Sequence, residues 1–186
     1  MFILASSSPR RKELLKQIIK DFEIHPLDID ESESYSLPPE EANIDIAIRK
    51  ANKAKEEYPS DISLSADTIV IIDQKIIGKP VDKKDAIRIL RTLSGRTHEV
   101  ITTYVINTPS DQIVRSVRSY VTFNTLSDDF IIKYVNENNP LDKAGAYGLQ
   151  DDEDYHLIKK VEGSISNVIG LPLEELKRDL EKLKIL

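Results

Sequence analysis

Three serines, a proline and two arginines, Ser6-Ser7-Ser8-Pro9-Arg10-Arg11, stand directly behind the apolar run Phe2-Ile3-Leu4-Ala5. That order predicts a short buried strand ending where a helix begins. Proline fits the first helical position and the serine before it fits the cap. A helix start presents unpaired backbone N–H groups and the positive end of the helix dipole. Three hydroxyls and two guanidiniums crowd the same end, which suits a phosphate chain. The plainer alternative is an exposed helix cap with two solvated arginines.

Beyond this point strands and helices alternate. The first helix is predicted from Pro9 to Lys20, with Leu14, Leu15, Ile18 and Ile19 on one apolar face. Phe22–Pro26 reads as a strand, and an acidic loop runs from Asp28 to Pro39. A long helix follows to Tyr58, with Ile44, Ala47, Ile48, Ala51 and Ala54 along one side. Ile62–Ile72 is a buried strand, Asp82–Leu93 a helix, and Val100–Ile106 with Ile113–Phe123 a hairpin. Helices Ser127–Asn136 and Leu173–Leu183 complete the pattern. Residues 140–170 hold four of the six glycines and read as turns. Early alternation and late antiparallel strands predict an α/β or α+β fold with a mixed sheet.

A chain of 186 residues can bury a core as one domain, with room for two lobes. Its net charge of −6 argues against non-specific nucleic-acid binding. There is no cysteine, so disulfides and thiolate metal sites are excluded. No apolar run approaches the ~20 residues that span a membrane, and no signal peptide is recognisable. A cytoplasmic protein with neither nucleic-acid nor membrane partners is the expectation.

Four further clusters can carry chemistry. Asp28, Asp30, Glu31 and Glu33 share one loop, and oxygen ligands of this kind suit Mg²⁺ or Mn²⁺; a solvated acidic loop is the alternative. Asp67 interrupts the apolar strand Ser63–Ile72, where a carboxylate is costly unless paired, hydrogen-bonded or metal-bound. Alternation puts Ser65, Asp67 and Ile69 on one face. Lys50 lies at the edge of its helix's apolar side, and from these residues alone snorkelling to solvent is the simpler reading. Lys79 sits on the Gly78-Lys79-Pro80 turn. Finally, Ala144–Gln150 is a small-residue loop ending in an amide that can donate and accept in one plane, as reading a nucleobase edge requires. There is no P-loop motif, and His25, His98 and His156 lack metal-ligand spacing. The inventory suits hydrolysis of a nucleoside polyphosphate.

These residues carry a resemblance. Leu4-Ala5-Ser6-Ser7-Ser8-Pro9-Arg10-Arg11-Lys12-Glu13-Leu14-Leu15 resembles the opening signature of the Maf family of nucleotide pyrophosphatases. The likeness continues through Asp30-Glu31, Lys50-Ala51, Ala66-Asp67-Thr68, Gly78-Lys79-Pro80, Leu93–Val100, Ala144–Gln150 and Ser166–Leu173. Asp151-Asp152-Glu153-Asp154 departs from it, since the family more often has glycine and fewer acids there.

The resemblance implies two α/β lobes around a cleft, similar to the inosine triphosphate pyrophosphatases, as a single domain over residues 1–186. It implies cleavage of a nucleoside triphosphate between the α- and β-phosphates with a divalent metal (Mg, Mn or Co). The family often dimerises, so a homodimer is among its implications. By matching motifs, Asp67 is the proton acceptor and shares metal binding with Glu31. Arg11, Lys50 and Lys79 serve the phosphates, Ser8 belongs to the same substrate-binding segment, and Arg10, Thr68 and Gln150 bear on substrate choice. The Gly148-Leu149-Gln150 tail resembles the branch acting on dTTP and UTP. Alternatives are a pyrophosphatase for 7-methyl-GTP or modified nucleotides, and a nucleotide-binding regulator of septum formation.

Overall fold

Along the chain run β1 (Phe2–Leu4), α1 (Pro9–Leu15), β2 (Glu23–Ile24), α2 (Pro39–Glu57), β3 (Ile62–Ile72), β4 (Lys75–Ile77) and α3 (Lys83–Leu93). Then come β5 (Thr97–Asn107), β6 (Gln112–Phe123), α4 (Asp128–Asn138), α5 (Asp152–Tyr155), β7 (Ile158–Glu162), α6 (Ile165–Ile169) and α7 (Leu173–Lys182). The structure is a computed structural model and describes residues 1–186. The sheet order is β2-β1-β3-β5-β6-β7, with β4 added on β3. β1 runs parallel to β2 and β3, whereas β4 and β7 run antiparallel to β3 and β6. This is the mixed α/β architecture expected from the sequence. No helix is long and apolar enough to cross a membrane.

Two compact units divide the chain. One comprises Met1–Thr68, Ile101–Val117 and Ser166–Leu186, the other Ile69–Val100 and Arg118–Ile165.

In the first unit, strand alternation sorts side chains into two chemically different layers. Leu64 and Ala66 of β3, with Tyr104 and Ile106 of β5, join Leu14 and Leu15 of α1 and Leu176 and Leu180 of α7 in one core. Each large aliphatic side chain buried there contributes about 2 kcal/mol relative to exposure. The odd-numbered residues turn the other way, towards α2. Val105 packs on Ala47 and Ala51, and Asn107 donates to the Ala51 carbonyl (2.7 Å) and to Ser63 Oγ (3.4 Å). The alanines of α2 let the helix lie close to the strands, and Ala42, Ala47, Ala51 and Ala54 are fully buried.

Asp179 of α7 is 1 % exposed. Burial pushes its pKa up, but Arg115 and the Tyr104 hydroxyl outweigh that and hold it down at about 2. Tyr104 donates at 2.7 Å, and Arg115 binds both carboxylate oxygens. The buried charge is therefore paired on every side, as its position requires.

In the second unit, α3 buries Ala86, Ile89, Leu90 and Leu93 and packs on α4, which buries Ile131, Tyr134 and Val135. Asp82 caps α3 by accepting from Asp85 N (2.8 Å), and Ser127 caps α4 by accepting from Phe130 N (3.2 Å). Each cap contributes about 1 kcal/mol. β3 returns into β4 through Asp73 and Gln74, both at positive φ (51° and 61°), the twist a two-residue hairpin favours.

His98 is buried edge-on against Phe123 and Tyr147, with Nε2 2.7 Å from the Tyr147 hydroxyl. Burial lowers its pKa from 6.5 to about 4. The unfolded chain therefore takes up a proton that the folded chain refuses as pH falls from 6.5 to about 4. The stability is fully present above pH 6.5 and declines through that window, by up to about 3 kcal/mol. Urea denaturation at pH 7 and pH 4.5 is expected to show this loss in the wild type and a smaller one in His98→Phe. Equal losses in the two proteins would rule out His98 as the source.

The structure departs from the sequence reading in several places. α1 stops at Leu15 rather than Lys20. Gln17 N and Ile18 N bond three residues back, to Leu14 and Leu15, so a tighter turn replaces the helix while Ile19 stays buried. The strand expected at Phe22–Pro26 shrinks to Glu23–Ile24, an exposed edge. The glycine-rich stretch 140–170 is turn-rich as expected, with 3-10 turns at Pro140–Asp142, Ala144–Ala146 and Leu149–Asp151, but it also holds β7, which the sequence reading missed. Its two apolar residues, Ile158 and Val161, stand three apart across a register irregularity, so no alternation marks the strand. β4 is too short to leave a periodic signal.

Candidate active site

The Ser6–Arg11 segment folds as the sequence predicts. Ser8 caps α1 by accepting from Arg11 N (3.4 Å), and its own N–H donates to Ser6 Oγ (3.2 Å). Pro9 fills the first helical position. Arg10 is half-buried. Arg11 turns back along the sheet. Its Nε donates to the Gly170 carbonyl (2.9 Å), Nη1 to Ser6 Oγ (3.3 Å) and Nη2 to Thr68 Oγ1 (3.0 Å). All three acceptors are neutral, so the guanidinium is aimed without being neutralised by a contact. Burial lowers its pKa, and the charge of Asp67 opposes that shift. Gly170 serves here because its φ of +133° is one that side-chain-bearing residues rarely adopt.

Thr68 stands beside Asp67 in sequence but on the opposite face of β3. Its hydroxyl lies 2.9 Å from Thr102 Oγ1, which donates to the Asn167 carbonyl (3.1 Å). Because the Thr102 proton is spent on that carbonyl, Thr68 donates to Thr102 and accepts from Arg11. The Arg11 guanidinium therefore rests on a hydroxyl pair fixed at its far end by the main chain.

On the other face, Asp67 is 9 % exposed and fully engaged. Lys50 Nζ lies 3.0 Å from Asp67 Oδ1 and 2.7 Å from Glu31 Oε1. The Lys50 side chain is 17 % exposed, so it does not snorkel to solvent as the sequence suggested. Two carboxylates nearby give its ammonium a better partner than water. Of the acidic loop, only Glu31 reaches Lys50. Asp30 accepts from Ser32 N and Oγ (2.9 and 2.6 Å) and closes a local turn. Glu31 Oε2 also accepts from the Tyr35 hydroxyl (2.9 Å), whose pKa is raised by burial and by that bond.

The donor set can be tested against the implied metal. Glu31 and Asp67 already converge on a single cation, the ammonium of Lys50. Two carboxylate oxygens at one point, with the remaining positions left for phosphate and water, are what Mg²⁺ or Mn²⁺ takes in nucleotide sites. The residues fit such an ion.

One residue of this cluster escaped the sequence reading. Asn43 is fully buried on α2, seven residues before Lys50 and so on the same helix stripe. It donates to Asp67 Oδ2 and to the Asp67 carbonyl, both at 3.0 Å. An amide in the line Asn43-Ala47-Lys50-Ala51-Ala54 was the available signal.

Lys79 and Gln150 belong to the second unit. Both are exposed. The turn bearing Lys79 is tied to the glycine-bearing loop by a bond from Gly145 N to the Gly78 carbonyl (3.3 Å). The acidic run after Gln150 is used locally. Asp151 Oδ2 accepts from the Tyr134 hydroxyl and Asp152 Oδ1 from Ile158 N, both at 2.7 Å. Those acids anchor the end of the loop to α4 and β7. The structure thus groups Ser8, Arg11 and Thr68 on one face of β3, and Glu31, Lys50 and Asp67 on the other.

Known proteins resemble this chain along almost its whole length. A dTTP/UTP pyrophosphatase of Clostridium botulinum (strain Eklund 17B / Type B) is 44% identical over 184 residues, covering 97% of each chain. A dTTP/UTP pyrophosphatase of Dictyoglomus thermophilum is 43% identical over 184 residues, covering 97% of this chain and 95% of its own. A HAM1 protein structure from Coxiella burnetii shares the fold, with a TM-score of 0.56 at 16% identity over 97% of this chain and 98% of its own. The profile of the Maf-like protein family matches residues 1–183, and the chain belongs to that family.

Proposed function

We propose that this protein hydrolyses dTTP and UTP to the nucleoside monophosphate and pyrophosphate. The observation that carries the reading is whole-chain kinship with dTTP/UTP pyrophosphatases at 43–44% identity. The paired faces of β3 give it a chemical basis. In the reaction a water oxygen attacks the α-phosphorus, the bond to the bridging oxygen breaks, and pyrophosphate departs. Asp67 takes the proton from the attacking water. Lys50 spends two of its three N–H bonds on Glu31 and Asp67 and keeps the third for a phosphate oxygen. Arg11, held by neutral acceptors, offers its charge to the triphosphate. A divalent cation held by Glu31 and Asp67 would supply further neutralisation of phosphate charge and Lewis-acid assistance. In this reading Lys79 serves the phosphates and Arg10, Thr68 and Gln150 the choice of nucleotide.

The test is pyrophosphate release from a nucleotide panel with Mg²⁺ and with Mn²⁺. dTTP and UTP are expected to be good substrates, and CTP, ATP and GTP much poorer. Uracil and thymine present an acceptor and a donor at O4 and N3, which one amide can pair, whereas cytosine reverses part of that pattern. The 5-methyl group changes the outcome by only ~1 kcal/mol. Gln150→Ala is expected to narrow the UTP-to-CTP preference by ~10-fold or more without altering metal dependence. Faster turnover of 7-methyl-GTP than of UTP would overturn the substrate assignment.

A further inference from the structure

The Asp67 carboxylate is held by a line of hydrogen bonds that can be ordered donor by donor. Asn43 has no exposed surface, and a buried amide is costly unless its polar atoms are paired. Its Nδ2 donates to Asp67 Oδ2 and to the Asp67 carbonyl. Its Oδ1 accepts from Thr103 Oγ1. Thr103, also fully buried, has one hydroxyl proton and spends it on Asn43, so the 2.7 Å contact with Ser116 Oγ must be a bond that Ser116 donates. The line therefore runs in one direction, from Ser116 through Thr103 and Asn43 to Asp67. A flipped Asn43 amide would set its oxygen against two Asp67 oxygens, so Asp67 fixes the amide and the Thr103 hydroxyl bonds the oxygen that remains.

We propose that Asn43 and Thr103 are positioning residues that act through Asp67, an inference that rests on the proton-acceptor role proposed above. With Asn43 on Oδ2, the carboxylate cannot rotate about its Cβ–Cγ bond without losing that bond. Oδ1, the oxygen beside Lys50 and Glu31, is thereby selected as the one that meets the water. Neither Asn43 nor Thr103 needs to touch the nucleotide. Their loss should therefore lower turnover and leave substrate binding nearly intact, because proton transfer depends steeply on orientation.

The experiment measures kcat and KM with UTP, or with the best substrate of the panel, for the wild type, Asn43→Leu, Thr103→Val and Thr103→Ser. Thermal unfolding accompanies each. Asn43→Leu is expected to lower kcat by ~10- to 10²-fold with KM changed by less than ~3-fold. Thr103→Val keeps the shape but frees the amide, and is expected to lower kcat by ~3- to 10-fold. Thr103→Ser restores the hydroxyl and is expected to match the wild type. If Asn43→Leu does not fold, the Thr103 pair decides the matter. Unchanged kcat in the folded variants, a loss seen mainly in KM, or equal rates for Thr103→Val and Thr103→Ser would each overturn the positioning role while an active wild type keeps the hydrolase reading. A wild type that releases pyrophosphate from no nucleotide would overturn both.

Discussion

Asp67→Asn is expected to abolish most turnover, by at least ~10²-fold in kcat with UTP, in a protein that still folds. The change keeps the shape of the side chain but removes the basic oxygen proposed to accept the water's proton. The fold is expected to persist because the new side chain retains an oxygen that can accept from Asn43 and Lys50 keeps Glu31 as an ionic partner, although the amide no longer pairs with the Lys50 ammonium. The measurement is a steady-state pyrophosphate assay paired with a melting curve. Wild-type turnover in a folded Asp67→Asn protein would remove Asp67 from the chemistry and leave it a structural member of the Lys50 cluster.

Arg11→Ala is expected to damage both activity and stability. The substitution takes a donor from Ser6 Oγ, Thr68 Oγ1 and the Gly170 carbonyl at once. Leaving such groups short of partners costs about 1–3 kcal/mol, several degrees in melting temperature for a chain of this size. The kcat/KM is expected to fall by ~10²-fold or more, because the lost charge would act on phosphate oxygens as they gain charge. Arg11→Lys should recover only part of either loss, since an ammonium cannot span three separated acceptors as the planar fork does. A lower melting temperature with unchanged kcat/KM would make Arg11 a brace for the Gly170 turn and nothing more.

The sequence made the frame of the fold legible wherever a strong local rule was at work. Pro9 behind Ser8 marked the start of α1, the 3.6-residue spacing of alanines marked α2, and the apolar run broken by Asp67 marked β3. What it hid were elements with little apolar signal, β4 and the lysine-bearing edge strand β7, and the point where α1 tightens into a turn. The site followed the same division. Asp67 stood out as a carboxylate in an apolar strand, and Arg11 as one of two guanidiniums at a helix start. Lys50 was misread because a lysine at the edge of an apolar face cannot reveal that Glu31 waits across the sheet's α2 side. Asn43 was passed over because one amide in a helix carries no distinctive pattern until its partners are placed.

The alternation of β3 has a consequence for how the chain finds its fold. β1 and β3 pair in parallel with Leu4 opposite Leu64. A slip of one residue would exchange the two faces of β3, and one that sets Asp67 where Ala66 lies would drive it into the layer of Leu14, Leu15 and Leu176. A carboxylate among those leucines loses Lys50 and Asn43, and burying it without them is costly. The correct register places the same charge beside Lys50 and Asn43. The cost of burying that charge thus favours the observed register of β1 and β3. An apolar residue in its place would remove that penalty and widen the set of misaligned sheets the growing chain can enter.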